Sequence, residues 1–292
     1  MKKITFLGPV GATFSHQAYS LLSHLYDAPS DTDHDVELLP ATRNGEVINQ
    51  IIKHGGYGAI AMETRAEGRV AEPLESFIEL LRDYANENQC PVSVIGAIKM
   101  KLHFSLLVRK GIAREDIERI VAHPKALGAC KRGINRLNVP TVDTLSNGKA
   151  AEDVALCIGF ERCAALAPAS AAHKYGLRIL EPAFEDAEAV TTFFLLGHQG
   201  CSRTIIEDSR VLIVFRTSHV PGALVSSLAS FQEFGLNLMQ IHSVHTGNGS
   251  YDFAIEIECP KDSSGRIQSA LRQFKTLTPR SIVFGPFPIQ DA

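Results

Sequence analysis

The chain has 292 residues, 45% of them hydrophobic and 21% charged, with a formal net charge of −3. That length exceeds one ordinary core and predicts two or three domains. Scattered charge without a basic block argues against nucleic acid as a partner.

Six cysteines, at 90, 130, 157, 163, 201 and 259, form no CxxC pair. In a protein of this size they read as small buried hydrophobes of a reducing compartment, not as a disulfide framework or zinc site. The basic start MKK precedes a four-residue apolar stretch that ends at Gly8-Pro9. This is too short for a signal peptide, and no run approaches membrane-spanning length, so a cytoplasmic protein is expected.

In chain order, residues 3–7 read as a strand broken by Gly8-Pro9, and Ser15 as the cap of a helix running to about residue 26. Residues 44–54 have helical spacing, with Val47, Ile48, Ile51 and Ile52 on one side, and 57–62 form an apolar strand. A helix over 74–84 and a strand over 92–100 follow. The alternation continues with a strand at 120–122, helices at 125–136 and 150–157, a strand at 164–166 and a helix at 170–175. Such alternation predicts α/β layers around a largely parallel sheet, with ligands held beyond strand ends where helices begin.

The segment AVTTFFLLG, at 189–197, sets a threonine pair before an apolar strand. Residues 198–209 read as a linker. After it come strand 211–215, helix 223–234, strands 237–245 and 251–257, helix 264–274 and strand 281–284. This is βαββαβ, a ferredoxin-like arrangement. The expected division is 1–200 and 208–288.

These segments resemble the prephenate dehydratase family with its C-terminal ACT domain. FLGPVGATFSHQAY resembles the family's FLGPxGTFSHQA, with Ala12 inserted, and GYGAIAMETRAEGRVAEPLESF resembles YGVVPIENSxEGxVxxTLDLL. AHPKALGAC, HKYGLRIL and TTFFLLG fall in the places of SHPQALxQC, xxYGLxVL and TRFLVLG, and PGALVSSLASFQEFGLNLMQIHS resembles the ACT segment. The resemblance implies a two-lobed, periplasmic-binding-protein-like dehydratase domain followed by a ferredoxin-like ACT domain. It implies a reaction on prephenate, a small dianion, that removes water and carbon dioxide to give phenylpyruvate in phenylalanine biosynthesis, without a cofactor.

Chemistry then selects residues. Thr191 falls on the family's catalytic threonine, which donates to the leaving hydroxyl. The arginine that follows it in the family is Thr192 here, and threonine cannot replace that charge. Thr64 and Arg65 stand for the family's asparagine and serine, and Ala122 and Ala129 for a serine and a glutamine. Arg65 is the expected substitute cation. Lys99, Lys101 and Lys125 are expected to face solvent. Thr13 and Ser15, at a helix start, and Ser146 and Asn147, at another, complete the expected substrate site. His16, His103 and His123 read as structural, and no histidine pair has metal-ligand spacing, so no metal is expected.

In the small domain, Gly222, Ala223, Leu224, Asn237, Leu238 and Ser243 hold the places of the family's amino-acid effector site. The family's ESRP has become His242 to His245, which predicts weak or absent regulation by phenylalanine. ACT domains commonly pair edge to edge, which implies a homodimer or homotetramer. Three functions remain open: a dehydratase-type lyase, a prephenate decarboxylase that yields a non-aromatic product, and a non-catalytic sensor of a small carboxylate or amino acid.

Overall fold

The computed structural model describes every residue except 65–67, 70, 85, 87, 158, 199–208, 247–249, 262 and 279, with backbone alone at 68, 69 and 71. The first lobe begins with β1 (Lys2–Leu7), α1 (Phe14–Leu25), β2 (Val36–Ala41), α2 (Asn44–His54), β3 (Tyr57–Thr64) and β4 (Gly68–Arg69). It continues through α3 (Ala71–Asp83) and β5 (Val92–Leu102). The chain then crosses to a second lobe of β6 (Ser105–Val108), β7 (Arg119–Ala122), α4 (Pro124–Ala129), α5 (Lys131–Leu137) and β8 (Thr141–Asp143). That lobe ends with α6 (Asn147–Leu156), β9 (Cys163–Ala167), α7 (Ala169–Tyr175) and β10 (Arg178–Glu181). It returns to the first lobe in β11 (Ala189–His198).

The small domain is β12 (Ser209–Arg216), α8 (Ala223–Gln232), β13 (Leu238–His245), β14 (Tyr251–Cys259), α9 (Ser264–Leu277) and β15 (Arg280–Asp291). Its strand order, β13-β14-β12-β15, is that of a ferredoxin-like sheet. The expected α/β fold, two lobes followed by a ferredoxin-like unit, is present.

Several expected details differ. The lobes are built on mixed sheets, not largely parallel ones. In the first, β2, β1 and β3 are parallel while β11 runs antiparallel to both β3 and β5. In the second, β7 is parallel to β8 and β9, but β6 is antiparallel to β9 and β10. The two crossings between lobes force this reversal. The helix expected over 125–136 is two helices meeting at Cys130.

The last strand is also longer than its apolar run suggested. It extends past Gly285 and pairs in parallel with β5, Ile289 opposite Ala97 and Asp291 opposite Lys99. The small-domain sheet and the first-lobe sheet are thereby one ten-stranded sheet. Tyr26 ties down the junction. Its hydroxyl donates to Ala97 O at 2.9 Å, its ring lies where a Cβ on Gly96 would stand, and burial pushes its phenol up to about 12.

Strand β11 carries the core of the first lobe. Phe193 and Leu195 pack on the face covered by α1, Phe194 and Leu196 on the face covered by α2 and α3. Each such side chain contributes roughly 1.5–3 kcal/mol on burial. Two faces filled this way leave only the strand's ends for chemistry.

The lobes meet at the loop between β1 and α1. Ser146 Oγ donates to Gly8 O at 2.8 Å, Gln17 Nε2 to Ser170 Oγ at 2.9 Å, and Lys174 Nζ to Val10 O. At Gly148 a Cβ would lie 2.7 Å from Thr13 Cγ2 and 2.8 Å from Ala12 O, so glycine permits the close approach of α6.

His16 braces the same loop. Its ring stacks on Phe6 at 4.3 Å, its Nδ1 accepts from Gly11 N at 2.6 Å, and its Nε2 lies 2.7 Å from Asp31 Oδ2. Burial lowers its pKa below 6.5; Asp31 opposes that shift and Lys174 adds to it. The folded chain therefore binds the proton less readily than the unfolded chain. Its contribution to stability is present above about pH 6.5 and is lost as pH falls through the folded value. We expect unfolding temperature to fall on acidification from pH 7, and to fall less in His16→Asn, which retains an acceptor for Gly11. An equally steep fall in the variant would show that His16 is not responsible.

Candidate active site

A cavity of about 780 Å³, part of it open to solvent, lies between the lobes. Its apolar wall includes Leu7, Phe14, Leu102, Phe104 and Phe193. Its polar wall brings together Thr13, Ser15, Thr64, Ser146, Asn147 and Thr191, all expected from the sequence. Arg65 lies outside the described residues.

The polar groups are there because helices start there. Thr13, not Ser15, caps α1: its Oγ1 accepts from His16 N at 3.3 Å and donates to Leu7 O at 2.7 Å. Ser15 lies inside the first turn, and both line the cavity. Ser146 caps α6 by accepting from Lys149 N at 3.1 Å, while Asn147 Oδ1 accepts from His123 N at 3.0 Å. The starts of α1, α2 and α6 face one space. Their N–H groups and partial positive charge favour an anion there.

Lys125 lines this space too, half-buried at the start of α4. This corrects the expectation that it faces solvent. A helix pattern cannot reveal which end of the helix abuts a cleft. His123 does have the expected structural duty, accepting from Lys125 N at 3.2 Å as the cap of α4, and it borders the cavity as well. Among the described lining residues there is no carboxylate. The electrostatics therefore point one way, toward a negatively charged ligand.

Thr64 and Thr191 form the opposite, neutral element. They are cross-strand neighbours on β3 and β11, with hydroxyl oxygens 3.3 Å apart. Regular alternation from Ala61 would send Glu63 into the cavity and Thr64 away. A register shift between Thr192 and Phe193 places Thr192 opposite Glu63 and Phe193 opposite Ala61, passing over Met62. The irregularity turns Thr64 inward beside Ala61 and Glu63 outward.

Thr191 is 2% exposed and lines the cavity; Thr192, 7% exposed, borders a separate hollow on the far face of the sheet. That hollow contains Lys99, Lys101 and Arg210, each held in an ion pair with Asp291, Glu188 and Glu256 at 3.3, 2.6 and 2.5 Å. A side chain at 192 thus does not enter the cavity. The family's arginine at this position would stand on the far side of the sheet from the cavity.

Of the two alanines, Ala129 lines the cavity and Ala122 is buried outside its lining. Asn44, Phe104 and Lys125 are cavity residues that sequence reasoning did not select. For Asn44 a signal existed: like Thr13 and Ser146, it stands at the start of a helix just after a strand.

Among the described residues, no group of three or more His, Cys, Asp or Glu side chains is arranged for a metal ion. No helix among them is long and apolar enough to cross a membrane. In the small domain, Gly222, Ala223 and Leu224 border one hollow and Asn237 and Leu238 another, while Ser243 is exposed on β13 and borders neither.

Comparison with known proteins agrees with this architecture. A bifunctional chorismate mutase/prephenate dehydratase of Aquifex aeolicus is 27% identical over 98% of this chain and 73% of its own length. A prephenate dehydratase of Corynebacterium glutamicum is 28% identical over 99% of this chain and 88% of its own. The structure of prephenate dehydratase from Arthrobacter aurescens, in complex with L-Phe, superposes with a TM-score of 0.79 at 24% identity. It covers 98% of this chain and 89% of that one. GqqA, described as a novel type of quorum quenching acylase, gives 0.75 at 22% identity over 98% of both chains. Likeness at that level shows the fold alone. The sequence pattern of prephenate dehydratase matches residues 4–201, and the chain belongs to the prephenate dehydratase family.

Proposed function

We propose that the chain is a lyase that converts prephenate to phenylpyruvate, water and carbon dioxide. One observation carries the reading: a paired Thr64–Thr191 hydroxyl element shares a carboxylate-free cavity with Lys125 and three helix starts. Prephenate has the complementary layout. Its two carboxylates lie at one end of the ring and its hydroxyl at the other.

The anionic end is received by Lys125 and the N–H groups at the starts of α1 and α6, and Arg65 is proposed as a second cation. The hydroxyl end lies at the threonine pair. The electron pair of the C–CO₂ bond moves into the ring, the double bonds shift, and the C–O bond opposite breaks. Thr191 Oγ donates to the departing oxygen while Thr64 orients Thr191; the oxygen takes up a proton supplied by solvent and leaves as water. Apolar walls such as Phe14 and Phe104 favour loss of charge as neutral carbon dioxide.

The test is to incubate purified protein with prephenate and follow phenylpyruvate, carbon dioxide and non-aromatic product together. Phenylpyruvate supports the proposal. A non-aromatic decarboxylated product replaces it with the decarboxylase, and binding without turnover replaces it with the sensor.

Regulation by phenylalanine is expected to be weak or absent. The Arthrobacter aurescens structure holds L-Phe. Here the residues expected at the effector site do not share one pocket: five divide between two hollows, Ser243 borders neither, and His242 to His245 replace the acidic, basic and proline residues of ESRP. Titration calorimetry with L-phenylalanine should give no saturable heat in the micromolar range. Tight binding with a change in oligomer size would overturn this expectation.

A further inference from the structure

Asn44 is the first residue of α2, only 9% exposed, and lines the cavity. Its Oδ1 is shielded from solvent and accepts no hydrogen bond among the described residues. Buried acceptors without partners are rare, because folding strips their water and returns nothing.

Among the described residues, no structural duty explains Asn44. The cap position of α2 is Arg43, whose side chain makes no capping bond. The helix start is held instead by Glu46, which accepts from Thr42 N at 2.7 Å and Thr42 Oγ1 at 2.9 Å. Gly45 N donates to Glu72 Oε1 at 3.2 Å. Three other polar side chains of the wall have such duties. Thr13 and Ser146 cap helices and bond to the β1–α1 loop region, and Asn147 Oδ1 is engaged by His123.

We propose that Asn44 is a specificity-determining residue whose carboxamide oxygen accepts the ring hydroxyl proton of the substrate. This rests on the dehydratase reading above. Asn44 belongs to the first lobe, as do Thr64 and Thr191, and on that wall the described polar groups are uncharged. A hydroxyl there is bound from both sides: Thr191 donates to its oxygen and Asn44 Oδ1 accepts its hydrogen. Once the C–O bond breaks, the same two contacts hold the product water. A ligand without that hydroxyl leaves Asn44 Oδ1 unpaired and is bound less well, which is how a hydrogen-bonding site discriminates.

Asn44→Leu keeps the side chain's approximate size and removes both polar atoms. In the ligand-free protein the variant removes an unpaired buried acceptor, so its unfolding temperature should rise, by roughly 2 °C or more. With prephenate its kcat/KM should fall ten- to hundred-fold. Inhibition by phenylpyruvate, which has a carboxylate and no ring hydroxyl, should change less than two-fold.

A lower unfolding temperature would make Asn44 a structural residue and overturn the inference. Equal losses for prephenate and phenylpyruvate, or no loss for prephenate, would also overturn it while leaving the dehydratase reading intact. Wild-type protein that neither binds nor converts prephenate would overturn both.

Discussion

Replacing Thr191 by valine should lower kcat for phenylpyruvate formation by about 10²–10³-fold, with KM changed only a few-fold. The magnitude is that of removing one preorganised donor from a developing oxyanion. The split between kcat and KM follows from timing, because the hydroxyl bond strengthens only as the C–O bond breaks. Valine is nearly the shape of threonine, and Thr191 is buried between β3 and β5, so packing should survive. Thr191→Ser, which keeps the hydroxyl, should recover much of the rate. Thr64→Val should cost less, since Thr64 acts through its 3.3 Å contact with Thr191. If Thr191→Val kept more than a fifth of the wild-type kcat, the donor role would fall to another group. If the wild type yields phenylpyruvate and Thr191→Val a non-aromatic product, the threonine would be shown to govern loss of the hydroxyl alone.

Much of the frame was legible because its signals are local. The apolar spacing of Val47, Ile48 and Ile51 gave α2, and the order of motifs gave two lobes and a ferredoxin-like unit. The site was legible where a small polar residue begins a helix after a strand, as at Thr13 and Ser146. What escaped depends on long-range geometry. Thr64 was expected in the site from the resemblance alone; its inward turn needs the irregular register between β3 and β11, a property of residues 127 positions apart. The inward position of Lys125 depends on how the second lobe sits against the first. Position 192 was legible by elementary alternation: Thr191 was expected to face the cleft and Thr192 away, and they line different hollows on opposite faces of the sheet.

Lys125→Met should weaken prephenate binding by roughly 10- to 150-fold, the equivalent of about 1.5–3 kcal/mol for a hydrogen bond to a charged group. Among the described residues lining the cavity, Lys125 is the one lysine or arginine. A dianion entering a partly desolvated cleft retains its charge only if opposite charge meets it there. The helix starts share that task, but each carries only about half a unit of charge, and methionine removes a whole one. Arg65→Ala is the companion variant, because Arg65 directly follows Thr64 and is proposed as the second cation. If the two residues hold different carboxylates, their losses should add in the double variant; if both hold one, the double variant should lose less than the sum. Added salt should weaken the wild type more than Lys125→Met, since screening acts on the charge that the variant lacks. Unchanged affinity in Lys125→Met would assign the anion to Arg65 and the helix starts. Unchanged affinity in both single variants and the double would remove the electrostatic basis for a dianionic substrate, and with it the case that this cavity takes prephenate.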